Sequence, residues 1–135
     1  MTISLLIEQI LNGLQFGVML FLMSAGLTLV FGVMGLINLA HGSFYMIGAF
    51  AAAFFAELTG SFFIAMVSSF VAALFAGALT EIVIIRKIYK RDHLDQVLAT
   101  FALILLFSEG IRWLFGAYPL YLNIPNELSS SLSLP

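Results

Sequence analysis

The stretch FGVMGLINLAHG, Phe31 to Gly42, decides the fold. It sits near the middle of 48 residues, between Glu8 and Glu57, that include no Lys, Arg, Asp or Glu. As one straight helix that run would be roughly 72 Å long, at ~1.5 Å per residue. The hydrocarbon core of a bilayer is only about 30 Å thick. The run therefore has to turn back once, and this stretch is its weak point: Gly32 and Gly35, then Asn38, His41 and Gly42.

Composition supports a membrane solvent for the rest of the chain. Of 135 residues, 62% are hydrophobic and 9% charged, where soluble domains carry about 25% charged residues. The net charge of -2 offers no basic surface for nucleic acid. The absence of cysteine removes disulfide and thiolate chemistry. The first basic residue is Arg86, so the amino terminus lacks the positive region of a cleaved secretory signal. The first apolar segment is expected to remain as a span.

The expected fold class is all-α: a polytopic transmembrane helical bundle with about four spans, forming one domain over residues 1–135. The spans are placed at about 6–34, 39–58, 62–85 and 97–115, with 116–135 as an outward loop holding all three prolines. Between the third and fourth spans, RKIYKRDHLDQ (Arg86 to Gln96) carries four of the five basic residues. Short loops rich in Lys and Arg stay in the cytoplasm, so loop 86–96 is expected inside and both ends of the chain outside. An alternative remains open, in which Gly35 to Gly48 dips into the bilayer and returns to the same face, moving the amino terminus inside.

Small residues recur at helix-packing intervals: Gly13 and Gly17 on the first span, and Ser69, Ala73 and Gly77 on the third. Small side chains let helices approach closely where lipid supplies no hydrophobic drive for pairing. Trp113, Tyr118 and Tyr121 fall where the fourth span leaves the bilayer, as an aromatic belt would. Glu109 and Arg112 are three apart there and either pair or reach separately for water. Glu81, near the inner end of the third span, is expected to reach the interface.

Asn38, His41 and Ser43 are the candidate site. Polar groups at membrane depth face a bundle interior or an aqueous cavity, and non-helical backbone is tolerated there under the same condition. Gly35 and Gly42 give the backbone room for a break. Broken helices line substrate sites in transporters, because freed N–H and C=O groups can meet a zwitterion or ion. The plainer reading is an interfacial turn, with Gly35 ending one helix and Asn38 capping the next through the N–H of Ala40 or His41. The two readings are compatible. No catalytic set, metal site or cofactor is expected: His41 and His93 are far apart in sequence, and no phosphate loop or serine elbow is present. An intramembrane enzyme using His41 would lack any partner acid or nucleophile.

The run NGLQFGVMLFLMSAGLTLVFGVMGLINLAHGSFYMIGAF closely resembles the start of the permeases of branched-chain amino acid ABC importers. The core GLINLAHG followed by YMIG is the most distinctive part, and YKRDHLDQVLATFALILLF resembles the loop and span that follow in that family. The resemblance covers about residues 9 to 125. It implies a bacterial inner-membrane subunit that contributes part of a translocation path for branched-chain or other small amino acids. It further implies a second homologous permease subunit, two cytoplasmic ATPase subunits that hydrolyse the ATP, and a periplasmic substrate-binding protein. Family members are about twice as long, so the chain is expected to be an amino-terminal part that does not transport alone. The usual ATPase-coupling segment would lie outside it, leaving Arg86 to Gln96 as a solvated loop. Related permeases for urea or short amides remain an alternative, as does a membrane scaffold subunit that transports nothing.

Overall fold

The computed structural model describes residues 3–121. Among them there is no strand, and the elements are α1 (Ile3–Met34), α2 (His41–Thr59), α3 (Phe62–Thr80), α4 (Arg86–Ile88) and α5 (His93–Phe115). A π-helical turn, Glu81–Ile85, joins α3 to α4 without interrupting the rod, so that Phe62–Ile88 is one continuous 27-residue helix. Four helices are therefore long and apolar enough to cross a membrane, as the all-α polytopic reading requires. The outward loop expected at 116–135 lies outside the described residues from position 122 onward.

The charge-free run divides where its glycine and asparagine fall. Gly35 adopts φ +64, a left-handed conformation that costs a side-chain-bearing residue dearly, and its N–H closes on Phe31 O at 2.8 Å. That geometry ends α1. The next helix begins at His41 and continues unbroken for 19 residues, about 28 Å at 1.5 Å per residue. That length crosses a hydrocarbon core, so the segment after the break has the dimensions of a span and not of a shallow dip.

Helices α2 and α3 form the most extensive pair in the chain. Gly60, at φ +66, donates its N–H to Ala56 O at 2.9 Å and stops α2. Ser61 then caps α3, its side chain accepting the N–H of Ile64 at 3.5 Å, long for a hydrogen bond. A two-residue connection leaves the helices antiparallel and adjacent. Gly48 marks their close approach: a Cβ added there would stand 3.1 Å from Ser69 Oγ and 3.6 Å from Ala73 Cβ. Two of the three small residues expected to pack on α3 thus face α2. Gly13 and Gly17, by contrast, have no neighbour within 4 Å of an added Cβ.

Helix α5 packs along α2 through aromatic rings. Phe44 meets Phe107 edge to face with centroids 5.8 Å apart, and Phe50 and Phe54 flank Phe115 at 5.4 and 5.7 Å. Because later residues of α2 meet later residues of α5, the two helices run in the same direction. Helix α1 stands apart, with no buried residue. Its half-buried positions Met19, Met23, Gly26 and Val30 share one face, and that face meets the start of α2.

Candidate functional site: the break between α1 and α2

The non-helical segment holds two of the most buried apolar residues among those described. Leu36 and Ala40 are 1% and 0% exposed, and Asn38 is 4% exposed. Asn38 Oδ1 accepts the N–H of Ala40 at 3.1 Å, and its backbone carbonyl accepts the N–H of His41 at 3.4 Å. Asn38 therefore closes an Asx turn two residues ahead of the helix cap, which is Ala40. The side chain thus gives a donor of the non-helical backbone a partner within the same turn.

His41 and Ser43 leave this turn on α2. Ser43 is buried and its N–H donates to Ala40 O at 2.9 Å. His41 is half-buried and turns toward α1, where a Cβ on Gly26 would fall 2.6 Å from His41 Nε2. The imidazole thus lies directly over a helix surface that only glycine leaves open. Gly42, expected at the break, is helical, in the first turn of α2. Its bare face looks toward Met23, whose Cε would lie 3.7 Å from an added Cβ. One turn on, the Tyr45 hydroxyl donates to Met19 Sδ at 2.9 Å. The seam between α1 and α2 is thus apolar, with one imidazole and one phenol set into it. Asn38 and His41 face different surroundings: Asn38 folds back on its own turn, and His41 touches α1.

Two further polar residues belong to the site. Gln96 and Thr100 are 3% and 0% exposed and lie four apart on α5. The Gln96 carboxamide oxygen accepts the N–H of Ile37 at 3.4 Å and also stands 3.4 Å from His93 Nδ1. Its nitrogen donates to Arg91 O at 3.2 Å and to Ile88 O at 3.4 Å. The Thr100 hydroxyl donates to Gln96 O at 2.8 Å and reaches Ile37 O at 3.5 Å. Among the described residues no buried side-chain polar atom lacks a partner. Sequence reasoning missed both residues because Gln96 follows the charged loop and looks like part of it. Helix α5 begins at His93, and the signal that could have found them was two polar residues at an i, i+4 interval entering an apolar helix.

These contacts also put the break at one end of the bundle, beside the basic segment Arg86–Asp92. At the opposite end of α5, Arg112 Nη1 pairs with Glu109 Oε1 at 2.9 Å, both side chains more than half exposed. Trp113, Tyr118 and Tyr121 are exposed around it. Glu81 accepts a hydrogen bond from the Tyr89 hydroxyl, eight residues further on. Desolvation, then that bond and the carboxylate charge, push the Tyr89 phenol up to about 12 from its usual 10. Among the described residues no group of three or more His, Asp or Glu side chains could hold a metal ion.

The profile of the branched-chain amino acid transport system permease component matches residues 9–118, spanning α1, the break, α2, α3 and α5. The chain belongs to that family. Curated members share a shorter stretch with it. The high-affinity branched-chain amino acid transport system permease protein BraD of Pseudomonas aeruginosa is 46% identical over 46 residues, 34% of this chain and 15% of that protein. The LivH permease proteins of Salmonella typhimurium and Escherichia coli K12 are each 43% identical over 44 residues, 33% of this chain and 14% of theirs. The matched stretch thus spans 15% or less of the length of these relatives. No solved structure matches. The family is one of transport permeases, consistent with a chain that is not an enzyme, and its membrane setting agrees with the four apolar helices.

Proposed function

We propose that the chain is a permease subunit of an ATP-driven importer for branched-chain or other small amino acids in the bacterial inner membrane. The observation that carries this reading is the family match across 9–118, which contains the buried polar break. The named function of the BraD and LivH proteins supports the substrate class. A second homologous permease subunit completes the path, two cytoplasmic ATPases drive it, and a periplasmic binding protein delivers the substrate. The basic loop 86–96 faces the cytoplasm by the positive-inside rule, which puts the break near the cytoplasmic end of the bundle.

In this arrangement Asn38, His41 and Ser43 serve the path, with Gly35 supplying the turn and Gly42 the close approach to α1. The mechanism is alternating access: helix bundles rock against one another as the partners hydrolyse ATP. His41, packed over Gly26, lies where α1 would part from α2. Uptake of labelled leucine by the complete importer tests the assignment. Asn38→Ala and His41→Ala are expected to cut the initial rate at least tenfold, a loss of about 1.4 kcal/mol, while the subunits still copurify. Wild-type uptake in both variants would remove these residues from the path. Uptake of urea or acetamide in place of leucine would move the substrate class to short amides.

A further inference from the structure

We infer that Gln96 is a positioning residue that joins the basic segment Arg86–Asp92 and the break Leu36–Ala40 into one rigid body. This goes beyond the transport reading and does not depend on it. The geometry divides the carboxamide between two clients. Its oxygen faces the N–H of Ile37 in the break at 3.4 Å. Its nitrogen faces the carbonyls of Arg91 at 3.2 Å and Ile88 at 3.4 Å on the basic side. An amide is the side chain suited to this, since it offers an acceptor and two donors on one planar group without charge. Each contact is long, and the group works because it is buried at 3% exposure, where water cannot replace the partners. Thr100 adds a weaker tether to Ile37 O at 3.5 Å.

The packing around these contacts fits one body. Leu36, Asn38, Ala40, Gln96 and Thr100 are each 4% exposed or less, whereas α1, across Gly35, buries no residue at all. A displacement of the basic segment is therefore delivered to the break through Gln96. Helix α1 is left outside this body, attached through Gly35.

Electron–electron distance measurements on the full chain in nanodiscs test the inference. The sequence has no cysteine, so spin labels can be placed in pairs without background. One pair, at Leu39 and Lys90, spans break and basic segment. A second, at Leu39 and Leu98, spans break and α5. The unsubstituted chain is expected to give a single narrow distance for both pairs. Gln96→Glu keeps the acceptor for Ile37 N–H and removes the donors to Arg91 and Ile88. It should abolish the narrow distance for the first pair alone. Gln96→Leu removes both functions and should broaden both pairs. General loosening would broaden both pairs in both variants, and that result would overturn the inference. So would a broad Leu39–Lys90 distribution in the otherwise unsubstituted chain, a reading that needs no variant to fold. A narrow first pair in Gln96→Glu would overturn it as well.

Discussion

Single residues carry more of this structure than the composition suggests. Gly35 ends α1 because it alone on that turn reaches φ +64 without a steric cost. A Cβ there would find no neighbour within 4 Å, so the penalty of substitution is conformational and not a clash. Gly35→Ala is expected to lower stability by about 1 kcal/mol, measurable as a reduced unfolding midpoint in detergent. An unchanged or raised midpoint would mean the turn has another conformation. This role was legible in the sequence, since a glycine ahead of an Asn/His cluster marks the point where an overlong apolar run can turn. The donor that Asn38 meets was legible too, since the N–H of Ala40 was one of the two expected, but its role as helix cap was wrong: α2 is capped at Ala40 without a side-chain bond, and Asn38 closes the turn ahead of it. What the sequence hid was His41 over Gly26. That contact depends on the crossing of two helices, and nothing local to either residue encodes it.

At the scale of elements, solvent polarity and backbone conformation part company. The sequence divides apolar from charged at Gln96, but α5 starts three residues earlier, at His93. Charged residues are at home in a helical turn once it leaves the hydrocarbon, so hydropathy dates the end of the lipid and not the end of the helix. Face assignment was equally hard to read. In water an apolar stripe marks the buried side of a helix. Here lipid-facing and protein-facing positions are both apolar, and Phe44 and Phe107 look no different in sequence from Phe70 and Phe101, which are exposed. Beyond the π-helical turn, Tyr89 reaches back to Glu81. Its phenol, with pKa raised to about 12, is protonated throughout the physiological range. The raised value means the neutral form is favoured in the folded chain. Any stability from this contact is thus fully present below about pH 10 and is lost as pH rises toward 12. The difference between the ultraviolet titrations of the parent chain and Tyr89→Phe should show one phenol ionising late, near 12. Glu81→Gln should bring it down only part way, because desolvation is the largest cause. A Tyr89 midpoint near 10 in the parent chain would show that the contact does not form.

The described residues form two unequal parts. Helices α2, α3 and α5 pack through Gly48 against Ser69 and through the Phe44–Phe107 and Phe54–Phe115 rings. Helix α1 leans on them along one face and exposes large apolar side chains on the others. The four apolar helices were legible because their lengths answer to bilayer thickness. The polar body under the break was not, because its members, Ile37 and Gln96, are 59 residues apart. The proposed path requires that the break open on water in the assembled importer. A single cysteine at position 41, in a chain that has none of its own, tests it most directly. In the complete importer in membrane vesicles, a membrane-impermeant thiol reagent should modify that cysteine from an aqueous face, and substrate should slow the reaction. Modification by lipid-soluble reagents alone, with no aqueous access from either compartment, would contradict the claim.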